Sequence, residues 1–164
     1  HELNPWYSLA EKCFAASRFI DAKDAFAEII RRDPQSAEAY EGRAFAYYSM
    51  AKDLAKANKQ GKLRHTQRYL GILDINTFLA QAPEEATADS YLLKVKLQFY
   101  RGDYKEATGT ALEGRHRFSR SVQEFDWWID EIKVANGLER NRAVRGRPDR
   151  PNWFKRFIKS ISKP

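Results

Sequence analysis

Apolar residues recur at three- and four-residue steps along most of this chain. Trp6, Leu9, Ala10, Cys13 and Phe14 mark the inner face of a first helix, and after a break at 17–19 Ala22, Ala25, Phe26, Ile29 and Ile30 mark a second. Asp33-Pro34 ends it, because the residue before a proline is pushed out of the helical region, and Ser36 opens the next. Further on, Ser121 with Glu124 three residues later forms a capping-box pattern. The helix it predicts carries Val122, Phe125, Trp128, Ile129 and Ile132, with Asn136-Gly137 as its C-terminal stop. No stretch alternates as a strand does, so the pattern predicts an all-α chain.

The large residues that lead these helices are spaced regularly. Trp6 and Tyr40 stand 34 residues apart, as do Tyr91 and Phe125, and the step from Tyr40 to Tyr91 is 51, which is 34 plus an insertion of 17. A fixed period of this size marks stacked supersecondary units, each too small to bury its apolar face alone. Within the units Trp6, Ala10, Cys13, Phe19, Ala22, Phe26 and Pro34 are followed by Tyr40, Ala44 and Tyr47 at the same offsets. Tyr91, Val95, Gly102-Asp103-Tyr104 and Ala107 follow in turn. Over roughly residues 3 to 135 this resembles the tetratricopeptide repeat (TPR) family: an aromatic early in the first helix, small residues at the crossing, Gly-Asp-Tyr at the turn, and a closing proline. The third unit departs from it, with Ser119 in place of the proline and Lys94 in place of an apolar residue. The resemblance implies a right-handed superhelix of antiparallel helix pairs: about three repeats, a capping helix and a basic C-terminal tail.

Aligning Pro83 with Pro34 places the insertion between Met50 and Gly71, so the second pair is expected to be a long helical hairpin, extended around 51–70. Gln60-Gly61-Lys62 is its natural turn. The extension carries Lys52, Lys56, Lys59, Lys62, Arg64, His65 and Arg68 against one acid, Asp53, and the simplest reading is a solvated helix extension.

Charge divides the chain more sharply than hydropathy does. Residues 1–139 hold 20 Lys/Arg and 21 Asp/Glu, net −1, and residues 140–164 hold nine Lys/Arg and Asp149 alone, net +8, giving the total of +7. The expected organisation is therefore a repeat domain at 1–138, a flexible basic linker at 139–152 and a basic amphipathic helix at 153–164. In that last segment Trp153 with Phe157, and Phe154 with Ile158 and Ile161, fall on one side, and Lys155, Arg156, Lys159 and Lys163 largely on the other. Three readings of the tail stand: a foot on an anionic membrane surface, a cover for the open end of the repeat stack, or a segment gripped by a partner protein or nucleic acid.

Catalytic chemistry finds few residues to work with. The three histidines, His1, His65 and His116, form no His-Glu-x-x-His, and there is no paired Cys-x-x-Cys, no phosphate-binding glycine loop and no Gly-x-Ser-x-Gly. No enzyme activity, metal or cofactor is expected. Asp126 and Asp130, one turn apart with Lys133 nearby, read as a solvated charged face rather than an acid/base pair. Cys13, the single cysteine, reads as packing. No apolar run approaches the roughly 18 residues that cross a bilayer. The expected setting is the cytoplasm, with attachment to a membrane if the tail engages lipid.

The TPR resemblance also implies a concave face. The positions that would line it here are Tyr7, Glu11 and Phe14, then Glu38, Glu41, Phe45 and Tyr48, then Leu92, Lys96 and Phe99, and finally Asp126 and Asp130. The lysine, asparagine and arginine clamp with which some members hold a terminal carboxylate has no counterpart at these positions. An aromatic, mainly acidic groove suits a protein or peptide partner, and the expected function is that of an interaction scaffold or adaptor. The alternative is a nucleic-acid-associated helical repeat that uses the basic insertion and tail as a clamp.

Overall fold

The fold rests on seven α-helices, which the computed structural model resolves among its described residues, 3–57 and 61–145. They are α1 (Asn4–Ala15), α2 (Phe19–Arg32), α3 (Ala37–Lys56), α4 (Gly61–Gln81), α5 (Ala88–Arg101), α6 (Tyr104–Arg117) and α7 (Val122–Arg145). No strand occurs among these residues. Each helix packs on the next in chain order, and the odd-numbered helices α3, α5 and α7 also touch one another in sequence. This is a row of helical hairpins whose first helices share one side.

Local chemistry sets the boundaries. α1 begins with Pro5 in its first turn and breaks at Ser17, whose φ of 56° lies in the left-handed region. Thr87 caps α5 by accepting from the Ser90 N–H, while the Ser90 hydroxyl accepts from the Thr87 N–H. Gly102, at φ 91°, ends α5 where a side chain would be strained.

Small residues let the helices approach. Ala10, Ala22, Ala44, Ala107 and Ala111 are fully buried. A Cβ on Gly114 would lie 2.4 Å from the Phe125 ring, so only glycine admits the aromatic that leads α7. The main core gathers Ile75, Phe78, Tyr91, Val95, Leu97, Phe125 and Ile132, and a smaller one joins Ala10, Ala25, Phe26, Ile29 and Ala39. Cys13 is buried packing.

The second pair is the longest, as the insertion predicts: α3 and α4 run 20 and 21 residues against 12 and 14 for α1 and α2. A two-pronged ion pair ties them together, with the Arg43 guanidinium donating at 2.8 Å to each oxygen of the buried Asp74. Lys94, the departure in the third unit, sits half-buried, and burial lowers its pKa while Glu113 opposes the shift.

Two expectations change. Asn136-Gly137 does not stop the last helix: α7 continues to Arg145, so residues 139–145 of the expected linker are helical. A glycine within a helix costs only about 1 kcal/mol. Here Leu138 is half-buried, and the Tyr104 hydroxyl donates to Glu139 at 3.2 Å, holding the next turn in place. Of the proposed turn Gln60-Gly61-Lys62, Gly61 and Lys62 already belong to α4, and Gln60 lies outside the described residues. So do Lys59, the rest of the linker and the whole segment 153–164.

Candidate functional site: an acidic aromatic cleft

Because α1, α3 and α5 share one side of the stack, their inner faces enclose a cleft of about 460 Å³. Its apolar surface comes from Phe14, Phe45, Tyr48 and Leu92. Phe14 meets Phe45 edge-on with centroids 5.4 Å apart, and Phe45 lies 6.3 Å from Tyr48. Phe45 is 47% exposed, so a large ring on the second unit stands open to solvent rather than between repeats.

Glycine makes room behind these rings. A Cβ on Gly42 would fall 2.3 Å from the Phe26 ring, which therefore packs directly on the α3 backbone and forms part of the cleft wall. Tyr7 is held from α1 by a 2.6 Å hydrogen bond between its hydroxyl and Ser36, and burial raises its pKa.

Glu11, Glu38, Glu41 and Asp89 line the cleft against one cation, Lys96. Glu41 is the most constrained of the acids. The Ser90 hydroxyl donates to it at 2.5 Å across the α3–α5 gap. Its pKa is raised, first by burial and then by Glu38, Asp89 and Glu85, with the Ser90 hydrogen bond opposing. Lys96 has a lowered pKa, mainly from burial and further from Lys52, with Asp89 and Glu124 opposing. The cleft thus holds several carboxylates at close quarters without an equal number of cations, a setting that favours a positively charged ligand.

Nine of the twelve expected groove residues line this cleft: Tyr7, Glu11, Phe14, Glu38, Glu41, Phe45, Tyr48, Leu92 and Lys96. Phe99, Asp126 and Asp130 lie outside it. Phe99 packs on Trp128 at 5.3 Å and on Tyr100 at 5.2 Å, which draws it toward α7. Asp126 pairs with Arg115 of α6 at 2.5 Å, and Asp130 faces solvent beside Lys133 at 3.6 Å. Phe26, Gly42, Asp89 and Leu93 join the lining unexpectedly, and of these Asp89, two residues before the leading Tyr91, corresponds to Glu38 before Tyr40.

The basic insertion is less uniform than a solvated extension. Lys56 and Lys62 are exposed, and Lys52, Arg64 and Arg68 are half-buried. Arg68 donates to the Tyr100 carbonyl at 2.6 Å and lies over the Tyr100 ring, and burial with neighbouring Arg64 lowers its pKa to about 10.

Among the described residues no cluster of His, Cys, Asp and Glu has the arrangement of a metal site, and no helix is long and apolar enough to cross a membrane. No protein-family model matches the chain, and no curated protein matches its sequence. Its structure is similar to that of the TPR2B domain of yeast Sti1, solved in complex with pHsp70. The TM-score is 0.63 and the identity 22%, covering 81% of this chain and 97% of that one. The chain has an all-α, TPR-like fold.

Proposed function

We propose that this chain is a non-catalytic interaction scaffold whose cleft between α1, α3 and α5 receives a basic, amphipathic peptide or helix from a protein partner. The observation that carries this reading is the set of Glu11, Glu38, Glu41 and Asp89 around the open Phe45 ring, with Lys96 as the one opposing charge in the lining. Carboxylates steer a cationic segment and the rings supply contact area for its apolar side. The Sti1 domain, whose structure contains pHsp70, lends support through the fold alone. In this reading the tail at 153–164 serves to dock on the domain or to attach it to an anionic membrane surface, and the protein works in the cytoplasm.

The test is calorimetric titration of a synthetic Lys/Leu/Trp amphipathic peptide into the wild-type chain and a Glu38→Lys, Glu41→Lys variant of unchanged helicity. Affinity is expected to fall at least about tenfold, equivalent to 1.4 kcal/mol. Unchanged or tighter binding would move the ligand to another face.

A second reading, a nucleic-acid clamp, draws on Lys52, Lys56, Lys62, Arg64 and Arg68 at the projecting end of α3 and α4. It predicts micromolar, salt-dependent binding to RNA or DNA that Lys56→Glu with Lys62→Glu weakens. Retention of that binding would count against it.

A further inference from the structure

We propose that the ligand of the acidic cleft, in the absence of a partner, is the chain's own basic tail, residues 153–163, folded back within the same molecule. This rests on the reading of the cleft as a receptor for cationic amphipathic segments and identifies which segment it is built to receive.

Charge is the first argument. The cleft presents Glu11, Glu38, Glu41 and Asp89 against Lys96, and residues 140–164 present nine Lys/Arg against Asp149. The tail also interleaves Trp153, Phe154, Phe157 and Ile158 with Lys155, Arg156 and Lys159, so it brings apolar groups for Phe45 and Tyr48 together with cations for the acids.

Reach is the second. Trp128 packs on Phe99 and Tyr100 near the end of α5, and α7 runs on to Arg145, 17 residues further. At 1.5 Å per residue Arg145 stands about 25 Å beyond the level of Phe99. The eight chain steps from Arg145 to Trp153 span up to about 28 Å when extended. With about 25 Å of that used along the axis, about 13 Å remains sideways, enough to cross to the neighbouring α5 and bring Trp153 to the level of Phe99. From there Phe157 would reach the level of Lys96, and Lys159 and Lys163 would run toward Glu41, Asp89 and Glu38. In this path the tail runs antiparallel to α5, meeting the aromatic part of the cleft first and its acids last.

Tethering is the third. A segment on a short linker acts at an effective concentration on the order of 1 mM, so an intrinsic dissociation constant near 100 μM would already occlude the cleft about tenfold. An external partner would have to displace the tail, which makes cleft opening and tail release a single event.

The experiment uses the full chain and three variants: a tail reversal (Lys155→Glu, Arg156→Glu, Lys159→Glu), the cleft reversal (Glu38→Lys, Glu41→Lys), and both together. Two fluorescent probes are titrated, a synthetic peptide of residues 146–164 and an unrelated Lys/Leu/Trp amphipathic helix. Both probes are expected to bind the tail-reversed chain about tenfold more tightly than wild type, and to lose that gain when the cleft is also reversed. Equal affinities in wild type and tail reversal would overturn the proposal. If the unrelated helix binds the cleft and the tail peptide does not, this inference falls while the cleft keeps its role as a receptor; if neither binds in any background, both fall. If the cleft reversal unfolds, Glu38→Gln with Glu41→Gln replaces it, with the same outcomes expected at reduced size.

Discussion

The two ends of α3 carry opposite charge, and only one of them is organised into a cleft. Its first turns hold Glu38 and Glu41, and its last hold Lys52 and Lys56. A helix macrodipole favours that order in any stable helix, so the gradient along α3 alone says little about function. The difference lies in the company each end keeps. Glu38 and Glu41 are joined by Asp89 from α5 and by Glu11, which sits well into α1, beyond the first turn where the dipole favours acids. At the other end Arg68 turns inward onto Tyr100, and Lys56 and Lys62 point to solvent. Side chains from three helices converge on the cleft, whereas the charges of the extended hairpin divide between Arg68, turned inward, and the exposed Lys56 and Lys62.

Breaking what the two ends share should have the largest effect. Asp74→Ala leaves the Arg43 guanidinium half-buried without its carboxylate, which should cost about 3 kcal/mol and lower the melting temperature by about 9 °C. Thermal melts followed by circular dichroism measure this, and a drop under 2 °C would show that the pair contributes little.

Gly42→Val acts on the cleft end alone. Its Cβ would sit 2.3 Å from Phe26, and relieving that clash should cost about 2 kcal/mol and deform the cleft wall. Hydrogen exchange should rise in the first turns of α3 and in α2, and stay unchanged near Lys62; uniform loosening would mean that the ends are not separable.

Glu41→Gln sharpens the contrast through pH. Glu41 has a raised pKa in the folded chain, so its protonated form is favoured there. Its contribution to stability is full below the unfolded value of about 4.3 and is lost as pH rises through the folded value. Glutamine can still accept from Ser90, so the variant should be as stable as wild type or up to about 1 kcal/mol more stable at pH 7. Wild-type affinity for a cationic peptide should weaken as pH falls through that raised pKa, and the variant should show less of this dependence. Identical pH profiles would remove Glu41 from the binding surface.

The smallest effect is expected at the projecting end. Lys56→Glu with Lys62→Glu, both exposed, should change stability by no more than about 0.5 kcal/mol, as a thermal melt would measure.

Much of this arrangement was legible in the sequence because it depends on local periodicity. The 34-residue spacing, the small residues at the crossings and the length of the second pair follow from side chains acting within one helix or hairpin. What escaped depends on partners far along the chain. Asn136-Gly137 reads as a stop, yet Tyr104 secures the turn beyond it. Asp126 and Phe99 occupy groove positions by register, but Arg115 and Trp128 draw them elsewhere. The hydrogen bond that fixes Glu41 comes from Ser90, 49 residues away, which no spacing rule reveals.

The most direct test titrates one cationic amphipathic peptide, at low and physiological salt, into two charge-reversed chains side by side: Glu38→Lys with Glu41→Lys, and Lys56→Glu with Lys62→Glu. The account predicts at least a tenfold loss of affinity for the first, largest at low salt where charges are least screened, and unchanged or slightly tighter binding for the second. Equal losses in both chains, or a loss in the second alone, would contradict the claim that the acidic cleft is where this protein receives its partner.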